Sequence, residues 1–146
     1  MITFKQKQYS EEAGIFLEFL GVLSGFILKS KALHWSAPKK NIHQYLDEMF
    51  DALCDFQDTV AEGYMGILGK MGPNDVPYTP CTSGDSMEFI NEVIVKSKEF
   101  YERIPDGVEF KGLTSETETF IQTAFKYRYL FGLCDNNYDT GQLPIP

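Results

Sequence analysis

Residues 34–62 read HWSAPKKNIHQYLDEMFDALCDFQDTVAE, and this stretch decides the fold. It holds both histidines of the chain, His34 and His43. It also holds Asp47, Asp58 and Glu62, spaced to share a helix face with His43. The pairs His43/Asp47 and Asp58/Glu62 are each i, i+4, so their members lie one helical turn apart. The 11 residues from Asp47 to Asp58 make about three turns, so the two pairs lie on one stripe. Imidazole and carboxylate are the donors that iron, manganese or zinc accept.

That stripe is too long for one metal site. His43 and Glu62 are 19 residues apart, or about 28 Å along a helix. A metal–ligand bond is about 2.0–2.2 Å. The pairs meet only if the helix packs antiparallel against its own copy, so that His43 and Asp47 of one chain face Asp58 and Glu62 of the other. A two-fold axis would then create two equivalent sites on the order of 22 Å apart. The axis would pass near residues 52–53, which places Cys54 close to its symmetry mate.

The pattern H-W, then H-x-x-x-D, then ten residues, then D-x-x-x-E resembles the ferroxidase signature of the Dps family, the small dodecameric ferritins. The resemblance is specific over about residues 24–70. It implies a di-iron site between two subunits, with His34, His43 and Asp47 from one chain and Asp58 and Glu62 from the other. It further implies a homo-oligomer, a two-fold dimer within a dodecamer. Fe(II) would be oxidised there by peroxide or dioxygen, and Fe(III) would be sequestered in a cage. Trp35, beside a ligand, would pack in the core near the iron. The loop between His34 and His43 is shorter than the family's usual one.

The fold expected is all-α, a ferritin-like four-helix bundle in one domain over 1–146. Its helices are predicted at about 10–35, 41–71, 86–104 and 114–134, with a long crossover between the second and third. Ser10 is expected to cap the first helix, Asn41 the second and Thr114 or Ser115 the fourth, the last in an S-x-x-E capping box with Glu118. Pro73, Pro77 and Pro80 argue for a crossover with little helix. Residues 135–146 are expected as an extended arm.

Each candidate also has a plainer reading. His34 alone would be a histidine at a helix end, and the acids alone a solvated face. Together, on a stripe that also carries Leu46, Phe50 and Cys54, they read as ligands against a partner, because buried carboxylates need a counter-charge or a metal. Lys39 and Lys40 are the positive groups expected nearby. Asp51 reads as a solvated or dyad-facing acid. Glu116 and Glu118 complement a helix N-terminus and are only weak candidates for an iron-entry pore.

A formal net charge of −8 and the absence of a basic block beyond Lys39-Lys40 argue against DNA binding and against anionic membranes. The apolar run Ile15–Leu28, interrupted by Glu18 and glycines, reads as too short to span a bilayer. Three widely spaced cysteines, Cys54, Cys81 and Cys134, do not form a disulfide framework; they suit a reducing cytoplasm. Two other functions fit the same features: a metal-binding dimer without catalysis, holding zinc for example, or a structural assembly protein.

Overall fold

The computed structural model describes residues 4–134 and 144–146, with side chains from residue 11 onward. The described residues form a four-helix bundle without strands: α1 (Phe4–Ser36), α2 (Lys40–Leu68), α3 (Ser86–Arg103) and α4 (Lys111–Cys134). A 3-10 turn, Val108–Phe110, leads into α4.

Aromatic contacts fix how the helices run. Phe19 stacks on Phe100 with centroids 4.0 Å apart, and Phe26 meets Phe89 edge-on, so α1 and α3 are antiparallel. Phe56 stacks on Phe120 at 4.1 Å and Tyr45 meets Tyr127, so α2 and α4 are antiparallel too. Tyr101 donates to Glu118 and Arg128 to Asn91, which sets α3 against α4 in the same sense. Phe16 against Tyr64 and Gln57 against Leu20 do so for α1 and α2. The fully buried side chains, among them Phe16, Leu23, Phe26, Leu46, Leu53, Phe89 and Phe131, fill the space between the four helices.

With every neighbour antiparallel, α2 and α3 point the same way. The connecting segment, residues 69–85, therefore returns along the bundle, and it lies on α1. Gly21 and Gly25, one turn apart, provide the track: a Cβ on either would collide with the backbone at Pro77 or Thr79. Thr79 N–H donates to the Gly21 carbonyl at 3.2 Å. At its far end, Ser83 Oγ and Cys81 Sγ both donate to Glu92 Oε2, at 2.5 and 3.3 Å. Burial pushes the Cys81 thiol above its ordinary range. All three cysteines are free.

Several expected helix ends are displaced. α1 begins at Phe4, so Ser10 lies inside it; nothing between Phe4 and Ser10 breaks a helix. α2 begins after Lys39, which makes no side-chain cap, and the Asn41 side chain accepts only from its neighbour Ile42. It ends at Leu68 because Gly69 takes φ 106°, earlier than the residue 71 expected. Asp85 caps α3 by accepting from Glu88 N–H at 2.8 Å. α4 starts three residues early, on the 3-10 turn. Thr114 instead donates to the Phe110 carbonyl, and Glu118 accepts from Tyr101. Of the expected C-terminal arm, residues 135–143 lie outside the described residues. Pro144 and Pro146 carbonyl oxygens accept from Arg128 and Lys98.

The stretch Glu11–Ser36 is, by length and composition, long and apolar enough to cross a membrane, unlike the shorter run expected. One side of it forms the bundle core through Phe16, Phe19, Leu20, Leu23 and Phe26.

The Gly25 track is testable against Gly14, whose added Cβ would meet nothing within 4 Å. Gly25→Ala should destabilise by about 1–3 kcal/mol, the cost of overpacking. Gly14→Ala should stabilise by about 0.5–1 kcal/mol through helix propensity. Urea unfolding followed by circular dichroism measures both.

Candidate metal centre

The corner between α1 and α2 brings the histidines together. His34 sits in the last turn of α1 and His43 in the first turns of α2. Their rings stack, with centroids 3.6 Å apart and planes 18° from parallel. Each ring also bonds to the other's backbone: His34 Nδ1 lies 2.6 Å from the His43 carbonyl oxygen, and His43 Nδ1 lies 2.7 Å from that of His34. A carbonyl can only accept, so both Nδ1 atoms carry the proton and donate. In a neutral imidazole this leaves Nε2 with a bare lone pair. Orientation of a histidine through one nitrogen and ligation through the other is the usual arrangement at metal sites. The lone pairs lie in two nearly parallel planes, so the rings in this arrangement cannot both aim at one ion.

Asp47 follows one turn along α2 and is tied to α1. Lys31 Nζ lies 2.5 Å from Asp47 Oδ1 and 4.2 Å from the Phe50 ring centroid. The hydrogen bond from Lys31 holds the Asp47 carboxyl below the usual carboxylate range. A carboxylate kept ionised is ready to bind a cation, but the ammonium occupies one of its oxygens. A metal that takes Oδ1 has to displace Lys31. Lys39, expected as the nearby positive charge, instead donates to the Cys134 carbonyl at the end of α4.

Asp58 and Glu62 lie three and four turns further along α2, both exposed, with no hydrogen bond or ion pair to other described residues. Among the described residues no three His, Cys, Asp or Glu gather closely enough to hold a metal. One chain thus presents His34, His43 and Asp47 at one end of a face, and Asp58 and Glu62 at the other. Between them Cys54 is partly buried in a groove, and burial, followed by the Asp51 and Asp55 carboxylates, raises its thiol above the ordinary range.

The stripe is less apolar than expected. Leu46 is fully buried in the core, one position round the helix from Asp47. Phe50 is half-buried under Lys31, and Asp51 is exposed. Trp35 is not packed in the core of its own chain. Glu116 and Glu118 are exposed at the start of α4.

Replacing Lys31 by Met keeps an unbranched apolar side chain there, removes the ammonium and frees Asp47. Divalent-cation binding, titrated calorimetrically with Zn(II) or Co(II), should tighten roughly two- to fivefold, the scale of a surface ion pair. Weaker binding would mean that Lys31 helps to shape the site.

No family model, no curated protein and no solved structure matches this chain.

Proposed function

We propose that the chain is a Dps-like mini-ferritin that oxidises Fe(II) at a di-metal site formed between two copies of itself. The observation that carries this is the reciprocal bonding of His34 and His43, which fixes both tautomers and leaves each Nε2 with a free lone pair. The ferritin-like assignment is supported by the connection between α2 and α3, which runs the length of the bundle as a crossover in such folds does.

Iron is the substrate here. His34, His43 and Asp47 supply one half of its ligands; Asp58 and Glu62 of a second, antiparallel copy supply the other. Carboxylates stabilise the ferric charge more than the ferrous one and so ease oxidation. With peroxide as oxidant, two Fe(II) ions give one electron each. The O–O bond breaks, and two hydroxides form. The ferric product would pass to a cavity of the assembled cage and mineralise. The acidic surface at −8 draws cations towards it.

Stopped-flow absorbance after Fe(II) and peroxide are mixed tests the activity, with turnover beyond the ligated irons as the expected result. A zinc-holding dimer would show none. A second test addresses the sharing of ligands. A variant carrying His43→Ala with Asp47→Ala and one carrying Asp58→Ala with Glu62→Ala should each be inactive. Hybrids formed by subunit exchange should regain activity, because one of their two sites is whole. Hybrids that form without regaining it would refute the shared site. Plasmid DNA should not be shifted in a gel at low salt and neutral pH, for want of phosphate-neutralising charge.

A further inference from the structure

Among the described residues Arg128 is the one charged side chain that is buried, 7% exposed in the seam between α3 and α4. Neutral oxygens hold its guanidinium. Nε donates to Asn91 Oδ1 at 3.0 Å, and Nη2 donates to the Pro144 carbonyl at 2.8 Å. No carboxylate of the described residues lies within ion-pairing distance of it. Lys98, seven residues beyond Asn91 on α3, donates from Nζ to the Pro146 carbonyl at 2.7 Å. A buried cation needs acceptors, and Pro144 supplies one of the two described for Arg128.

The two sides complement each other. Arg128 and Lys98 offer donors only. Residues 144–146, Pro-Ile-Pro, offer carbonyl acceptors, and neither proline has an N–H to leave unpaired. Each ring fixes its own φ and holds the residue before it extended, so laying the segment down loses little chain freedom. Pro144 is level with Asn91 and Arg128, and Pro146 is tied to Lys98. The segment therefore runs with α3 and back along α4. Two extended residues cover about 7 Å of the roughly 10 Å from Asn91 to Lys98. A lysine side chain is long enough to make up the difference. Pro144 and Ile145 stay exposed, so apolar burial holds little of the segment and the two cationic donors hold most of it.

We infer that the α3–α4 seam is a docking site for residues 144–146, with Arg128 as its anchor and Lys98 as a second clamp. The segment is a strap. It completes the acceptor set of the buried guanidinium, and through the Arg128–Asn91 bond its seating is coupled to the pairing of α4 with α3. The seam recognises the main-chain carbonyls of an extended, proline-bearing segment and reads none of its side chains. Neither the metal centre nor a second copy is involved.

Ile145, exposed and flanked by both prolines, reports on the strap. In a free segment X–Pro bonds populate cis at about 5–30% and exchange slowly, so the Ile145 methyl gives more than one NMR signal. A seated strap gives one. Full-length protein carrying 13C-methyl isoleucine, with the signal assigned by its loss in Ile145→Val, should show a single Ile145 resonance. Arg128→Met should split it, the minor signals carrying about 5–30% of the intensity, while the helical circular dichroism stays unchanged. Arg103→Met, which removes an ion pair to Glu18 elsewhere on α3, should leave it single. A split resonance in the unsubstituted protein overturns the docking. A single resonance in helical Arg128→Met, or splitting in Arg103→Met as well, overturns Arg128 as the anchor. Where Arg128→Met loses its helical signal, Arg128→Lys takes its place: it keeps the charge but lacks the planar fork that holds Asn91 and Pro144 together, and it is read by the same outcomes.

Discussion

The candidate metal centre depends on the register of the α1–α2 hairpin. A slip of one residue would rotate one helix by about 100° against the other and separate His34 from His43. Gln57 holds the middle of the hairpin, donating to the Leu20 carbonyl and to Ser24 Oγ. Phe19 against Phe56 reinforces the middle, and Phe16 against Tyr64 holds the side farther from the histidines. The histidines themselves close the other end, each ring bonded to the other's backbone. The same bonds that lock the hairpin also select the imidazole tautomers, so local structure and ligand chemistry are one feature here.

This coupling explains how much the residue pattern revealed. Four helices were legible because apolar residues recur at helical spacing and because Pro and Gly interrupt them at 72–84 and 105–107. The helix starts were less legible. Ser10, Asn41 and Thr114 look like caps, yet none begins its helix: favourable residues precede Ser10, Asn41 already lies in the first turn, and a 3-10 turn feeds α4. The shared stripe of His43, Asp47, Asp58 and Glu62 could be drawn from i, i+4 arithmetic alone. Lys31 could not, because its meeting with Asp47 is tertiary. It would have emerged from laying α1 against α2 with residue 34 beside residue 43, which brings position 31 beside position 47.

Lys31 also shows how a bundle accommodates an ionised acid on a partly buried face. Asp47 lies one turn from His43, and an ionised carboxylate there would lack a counter-charge in the absence of a cation. The ammonium supplies it and also lies over the Phe50 ring. The contact is partly exposed, so it costs little to break. Asp58 and Glu62 have no such companion among the described residues and stand in water, where charge is cheap to keep.

The glycine track on α1 has a remote effect. Gly21 and Gly25 let the backbone at Pro77 and Thr79 touch the helix, and the same segment carries Met71 and Val76 to the edge of the groove beside Cys54. The thickness of two missing side chains therefore acts as a calliper, setting how far that wall stands from α2. Bulkier residues at positions 21 or 25 would open the groove without altering any residue that lines it. Two positions with no side chain thereby govern the shape of a surface on which they do not appear.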